Sequence, residues 1–329
     1  MKTILTYRFS AFGDIAMTVP VICEFLNQNE DIRIVMVSRE NFSELFMNVH
    51  TRLVFVGVNL SNYKGIKGVF RLGKILLKDH KPDFIADLHD VLRTKILYFY
   101  FKIKGFKVFK IDKGRKDKKN LSNVWNINKF QLKKTTERYA DVFRSMGFGL
   151  KLSHKLKSFL KQHSDKEKQG IGFAPFAKHK GKMMPLEKSF ELAKNIAKRE
   201  HVYFFGGGPI EVKLLEKWAD EIPNSTSLAG KLNLKEELEN ISRLRLMISM
   251  DSANMHLASL AGVRVISVWG ATHYYAGFLG YGQSEEDIIH VKDLTCRPCS
   301  IFGNKKCFRD DWACLEELNI QYIIDKIHG

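Results

Sequence analysis

The chain has no long apolar run. The longest in its first half, "ILYFYF" (96–101), falls far short of the ~20 residues a membrane span needs. Arg8 and Asp14 interrupt the apolar N-terminus before a signal-peptide core can form, so a cytoplasmic location is expected. A dinucleotide fingerprint is missing too. In "SAFGDIA" (10–16) Gly13 stands alone between a bulky Phe12 and the carboxylate of Asp14, where G-x-G-x-x-G would let backbone approach a pyrophosphate. This argues against an NAD-type dehydrogenase. Cysteine is scarce: Cys23, then Cys296, Cys299, Cys307 and Cys314 near the end. Those last four could bind zinc as thiolates, but six residues separate the second pair instead of two to four, so reduced structural thiols are the expectation and structural zinc the alternative. Permanent disulfides do not suit a cytosolic chain. Acidic residues are also in short supply: 36 against 53 basic ones, a net charge of +17.

What is present is a soluble, globular composition, 45% hydrophobic and 27% charged, over 329 residues. That length suits two domains of about 150 residues each. The positive charge is concentrated: residues 60–120 hold seventeen basic and six acidic side chains, a local net of +11. Such a field draws anions, whether nucleic acid, an acidic lipid surface or phosphorylated substrates, and it also serves plain solubility. Tyr98, Phe99, Tyr100 and Phe101 beside it suit lipid contact.

Short apolar strands alternate with helical patterns through both halves. "TILTYRF" (3–9), "IRIVMVS" (32–38), "RLVFVGV", "DFIADLH" and "FKVFKI" read as strands, with helices over 15–28 and 41–49. A polar stretch, 155–170, reads as a linker. The pattern then restarts with "GIGFAPF", a helix over 186–200, "HVYFFGGG", "IEVKLLEKWADEI", "STSLAG" and "NLKEELENISRLR". Alternation of this kind predicts parallel sheets with helices on both faces, in two consecutive α/β halves whose strand ends would surround a shared cleft.

The run "MDSANMHLASLAG" (250–262) lies between two apolar strands yet opens with polar groups. A helix starting at Ser252 would aim the free N–H groups of Ser252, Ala253, Asn254 and Met255 outward, with Asp251 or Ser252 as cap. "KHKGKMMP" (178–185) and "GGGPIE" (206–211) follow the first two strands of the same half. A lysine, an acidic residue and a helix start at three strand ends fit a nucleoside diphosphate, lysine to phosphate and carboxylate to ribose.

Four segments, "RFSAFGDIAMTVP", "GKMMP" with "FGGGPIE", "LAGKLNLKEELENIS" and "SMDSANMHLASLAGVRVISVWGAT", resemble glycosyltransferase family 9, the heptosyltransferases of lipopolysaccharide assembly. The resemblance implies a GT-B fold, two Rossmann-like parallel-sheet domains facing a central cleft. The implied division is an acceptor-binding domain over 1–160, a nucleotide-sugar-binding domain over 161–312, and a final helix, 313–329, able to cross back to the first. The implied reaction is inverting and needs no metal or other cofactor. It moves a heptose from an ADP-sugar to the lipopolysaccharide core or lipid A, at the cytoplasmic face of the inner membrane of a Gram-negative bacterium.

By the same resemblance Asp14 is the catalytic base and Lys182 contacts the donor phosphates, with Lys178 and Lys180 able to share that task. Glu211 matches a ribose position, and Asp251, Ser252, Ala253, Asn254, Met255 and His256 form the rest of the nucleotide-sugar site, His256 in a structural role. Ser10, Lys64, Lys67 and Arg93 are acceptor candidates, their charges suited to carboxylates or phosphates. Each has a plainer reading: Asp14 as a helix cap, Glu211 as a first-turn acid, the lysines as solvated charges. Met183-Met184 and the region of His273 and Tyr274 depart from the family pattern near the donor, so a GT-B enzyme using another nucleotide-sugar for a different surface glycan is the alternative. A nucleic-acid binder fits poorly, because the basic excess lies in the first half and the phosphate-type loops in the second.

Overall fold

The computed structural model describes residues 1–160 and 168–328, so the linker expected over 155–170 lies partly outside the described residues. The chain divides into two compact units. One comprises Met1–Lys113, Thr135–Ser153 and Phe159–Lys161; the other comprises Gly114–Lys134, His154–Ser158 and Gln162–Gly329.

The first unit holds a five-stranded sheet of order β3-β2-β1-β4-β5, from β1 (Lys2–Tyr7), β2 (Ile32–Arg39), β3 (Leu53–Val58), β4 (Phe84–Asp87) and β5 (Val108–Lys110). Every pairing is parallel. The central strand β1 is buried from Thr3 to Tyr7, as a strand covered on both faces must be, which is why its sequence is continuously β-branched and apolar. On one face α3 (Gly65–His80) and α4 (Leu92–Ile103) pack through Val69, Leu72, Leu76, Leu97 and Phe101 onto Leu5, Tyr7, Val35 and Ile85. Elsewhere α2 (Thr18–Gln28) packs on α6 (Thr135–Arg144), with Phe25 stacked on Phe143 at 4.5 Å.

Two helices differ from expectation. The one expected over 15–28 breaks into α1 (Phe12–Ala16) and α2. Thr18 Oγ1 donates to the Ile15 carbonyl at 2.7 Å, and Pro20 has no N–H to continue the ladder. The one expected over 41–49 is only a 3-10 turn, Glu40–Leu45. Its buried pair, Phe42 and Leu45, has the three-residue spacing that this tighter helix brings to one side, and Asn48 behind it is left-handed at φ 58°.

The second unit opens with α5 (Arg115–Leu121), although 114–134 falls within the first domain on sequence grounds. Leu121 and Leu132 bury against Ala276, and the Leu132 N–H donates to the Tyr275 carbonyl at 2.8 Å. The strands β6 (Ile171–Ala174), β7 (Val202–Phe204), β8 (Ser225–Ser227), β9 (Leu246–Met250), β10 (Arg264–Val268) and β11 (Ile288–Ile289) form a six-stranded parallel sheet of order β11-β10-β9-β6-β7-β8. Its helices are α7 (Leu186–Ala197), α8 (Pro209–Glu221), α9 (Leu234–Ser242), α10 (Ala253–Leu260), α11 (Ala313–Glu316) and α12 (Ile320–His328). The final helix packs on α7 and β10 and buries Ile323 and Ile327 in the core of the second unit.

Candidate active site

In the first unit, the loop after β1 carries Arg8, Ser10 and Asp14. Asp14 is in the first turn of α1, where its Oδ2 accepts the Ala11 N–H at 3.3 Å, the cap that a first-turn acid provides. The same oxygen pairs with Arg8 Nη2 at 2.9 Å. Arg8 is buried, donates to the Leu88 carbonyl at 2.6 Å and lies 5.5 Å from the Tyr139 ring centre, while Asp14 keeps a quarter of its side chain, 27%, open to solvent. The carboxylate is thus fixed on one side and reachable on the other.

Beside this loop a cavity of about 600 Å³ is lined by Ser10, Arg39, Lys64, His89 and Arg93, among others. Three of the four acceptor candidates, Ser10, Lys64 and Arg93, meet there. Lys67 is exposed on α3 and is not among the lining residues, nor is Asp14, although the cavity reaches Phe9 and Ser10 of its loop. Arg93 also braces the cavity wall by donating to the carbonyls of Leu60 and Tyr63.

His89 and Arg39, which no local sequence pattern marks, line the same cavity. The His89 Nδ1 accepts the Phe9 N–H at 3.4 Å, which leaves Nε2–H to donate to Ser10 Oγ at 3.1 Å. Burial first, then the charges of Arg8 and Lys113, push this imidazole down to about 3, so it is a neutral donor at physiological pH. The Asp87 carboxylate accepts the N–H groups of His89 and Asp90 and shapes the turn.

In the second unit, parallel strands put every C-terminal end on one edge, with neighbours about 4.8 Å apart. The segments that follow the adjacent strands β9, β6 and β7 carry Asp251 with Ser252, Lys182, and Glu211. The N-cap Ser252 is extended and makes no side-chain capping hydrogen bond to α10, so the first N–H groups of that helix are left to another acceptor. Ser252, Ala253 and Asn254 are half-buried, whereas Met255 sends its side chain into the core and offers only backbone. His256 is buried one position further along.

Asp251 is 4% exposed, and its Oδ2 takes both Lys182 Nζ and the Thr272 hydroxyl at 2.8 Å. The lysine is therefore tethered beside the start of α10. Gly303 makes room for its stem, since a Cβ there would come within 2.6 Å of Lys182 Cγ. Glu211, in the first turn of α8, folds back so that Oε2 accepts the Gly207 N–H at 2.8 Å.

Arg297 supports this edge. Almost fully buried, it donates to the carbonyls of Trp269, Gly270, Thr272 and Val291 and so holds the loop that presents Thr272 to Asp251. Burial lowers it to about 10, still charged at neutral pH. The same burial, with the Arg297 charge, lowers His273 to about 3 and His290 to about 4.

Two of the cysteines pack in the core. Cys299 and Cys314 sit in the core of the second unit, where burial raises both thiols, Cys314 to about 12; Cys296 and Cys307 are half-buried. Among the described residues no group of three or more His, Cys, Asp or Glu is placed to hold a metal ion, so the zinc alternative has no support.

The sequence matches the family model for glycosyltransferase family 9 (heptosyltransferase) over residues 69–304. It is 22% identical over 322 residues to lipooligosaccharide heptosyltransferase 2 of Campylobacter jejuni, covering 95% of this chain and 93% of that one. The fold matches the family 9 glycosyl transferase of Veillonella parvula, with a TM-score of 0.72 at 17% identity over 99% of this chain and 96% of that one. It also matches E. coli heptosyltransferase WaaC, solved with ADP, with a TM-score of 0.70 at 16% identity over 99% of both chains. With a GT-B-like pair of parallel-sheet units and a family match spanning most of its length, the chain belongs to glycosyltransferase family 9, the heptosyltransferases, and is a glycosyltransferase.

Proposed function

We propose that the protein transfers a heptose, with inversion and without a metal cofactor, from an ADP-linked donor to an anionic sugar of the lipopolysaccharide inner core or lipid A at the cytoplasmic face of the inner membrane. Asp14 takes the proton of the acceptor hydroxyl as its oxygen attacks the anomeric carbon, while the bond from that carbon to the ADP phosphate breaks. General-base help of this kind contributes about 10²–10⁴-fold. The charge arriving on the departing diphosphate meets Lys182 and the N–H groups of Ser252, Ala253, Asn254 and Met255, donors fixed before the reaction begins. Asp251 keeps Lys182 in reach, Glu211 accepts from the ribose hydroxyls, and His256 holds the loop. On the acceptor side Lys64, Arg93 and Arg39 suit carboxylate or phosphate, and Ser10 with neutral His89 suits sugar hydroxyls.

One observation carries the reading: a tethered lysine beside an uncapped helix start, on the strand edge that also bears Glu211. The support for ADP-heptose and for a lipopolysaccharide acceptor is family membership and the likeness to WaaC, which was solved with ADP. The test is mass spectrometry of products after offering ADP-heptose with truncated, deacylated lipopolysaccharide cores. The expected result is a mass gain of one heptose on the acceptor. Transfer from a UDP- or GDP-sugar instead, with none from ADP-heptose, overturns the donor assignment.

A further inference from the structure

The outer faces of α3 and α4 are unlike the solvent faces of ordinary surface helices. Their inner faces fill the core of the first unit. The two helices are packed tightly together, since a Cβ on Gly73 would come within 2.5 Å of the Tyr100 ring. On such helices the outward positions are normally polar. On α4 the exposed positions recur at helical spacing as Leu92, Lys95, Phe99, Lys102 and Ile103, so each is a large apolar group or a lysine. Leu92 is 79%, Phe99 59% and Ile103 60% exposed. On α3 the exposed side chains, after Gly65, are Ile66, Lys67, Arg71, Lys74, Ile75, Lys78 and Asp79. The combined face therefore has six cations, one carboxylate and five large apolar side chains.

We propose that this α3–α4 face docks the protein on an anionic lipid bilayer, with Leu92, Phe99, Ile103, Ile66 and Ile75 entering the headgroup boundary and the lysines meeting lipid phosphates. Charge complementarity selects the partner. Lysine next to protruding aliphatic and aromatic groups is the pattern of a helix lying in a membrane interface, and each basic residue near an anionic surface adds to the attraction. At 12 residues α4 lies on a bilayer and does not cross it, and no described helix is long and apolar enough to span one. The face also adjoins the cavity of the first unit: Lys64 immediately precedes α3, Arg93 is the second residue of α4, and both line that cavity. The inference rests on the proposed lipid-anchored acceptor for its purpose, though not for its test.

The experiment is flotation of the full chain with vesicles of phosphatidylglycerol and phosphatidylethanolamine, without sugar nucleotide or acceptor, so its failure is separate from failure of the transfer reaction. The protein is expected to float with these vesicles and not with pure phosphatidylcholine, and to release in high salt. Combined Leu92→Ser, Phe99→Ser and Ile103→Ser should lower partitioning about tenfold or more. Lys95→Glu with Lys102→Glu should do the same. All five positions are exposed, so both variants keep the parent melting temperature and its rate on a deacylated, water-soluble acceptor. Trp125, exposed against Phe308 in the second unit, is the control, and Trp125→Ser should float like the parent. Equal flotation of parent and variants, no flotation of the parent, loss with Trp125→Ser alone, or a dimer in sedimentation that the triple variant abolishes would each overturn the proposal.

Discussion

Asp14 and Lys182 each sit in an ion pair with a buried partner, and the partners decide which substitutions are informative. Removing Asp14 outright would leave the Arg8 guanidinium buried without a counter-charge, a costly change that mixes stability with catalysis. Asp14→Asn keeps an oxygen for Arg8 and for the Ala11 N–H while removing the base. It should lower kcat about 10²–10⁴-fold and leave the ADP dissociation constant unchanged. Steady-state rates beside ADP titration calorimetry check this, and a loss of ADP binding would take Asp14 out of the base role. Lys182→Gln, which keeps a donor for the buried Asp251 but loses the charge, should do the reverse and weaken ADP binding about tenfold or more, the contribution of a charged hydrogen bond. Undiminished ADP affinity in that variant would assign Lys182 to holding Asp251 alone.

Among the elements, the loop of Gly303 tests whether Lys182 must be held where it is. Gly303 has a positive φ of 73° and faces the lysine stem, so Gly303→Ala both strains the backbone and displaces Lys182. A loss of about 1–2 kcal/mol in thermal or denaturant unfolding is expected, with weaker ADP binding in the protein that remains folded. Intact ADP affinity would show that the tether is dispensable. This level also marks what a sequence can convey. The polar start of α10 stood out because its strand, cap and helix are contiguous, and Asn233 with Glu236 capping α9 is just as local. The neutral donor His89 did not stand out, because its partner Ser10 lies 79 residues away and the burial that neutralises it comes from the fold. The Lys182–Asp251 pair spans 69 positions and depends on β6 and β9 being neighbours, which is a fact of sheet order and leaves no local pattern. Lys67, an acceptor candidate by its charge, is exposed on α3 and does not line the cavity that Lys64 lines, a distinction that depends on the packing of α3 and leaves no local pattern.

For the whole molecule, alternating strands and helices made two α/β units legible, while the point of division was not, because 114–134 joins the second unit through a few contacts such as Leu132 to Tyr275 that no composition shift announces. Stability against pH is a property at this scale. His89, His273 and His290 have native values of about 3, 3 and 4, below the ~6.5 of an unfolded histidine. Between about pH 4 and 6.5 the unfolded chain therefore takes up protons that the native one refuses, and stability falls as the pH falls through that window. Melting temperatures at pH 7.5 and pH 5 should drop on acidification, and His89→Gln should reduce the drop; a flat or rising profile would count against the buried neutral imidazoles.

Whether the strand edge of the second unit grips a nucleoside diphosphate is read most plainly from a crystal structure with ADP bound. The diphosphate is expected on the N–H groups at the start of α10, with Lys182 Nζ on its oxygens and the ribose at Glu211. ADP seated anywhere else on the chain, or phosphates out of reach of Lys182 and Ser252, would contradict it.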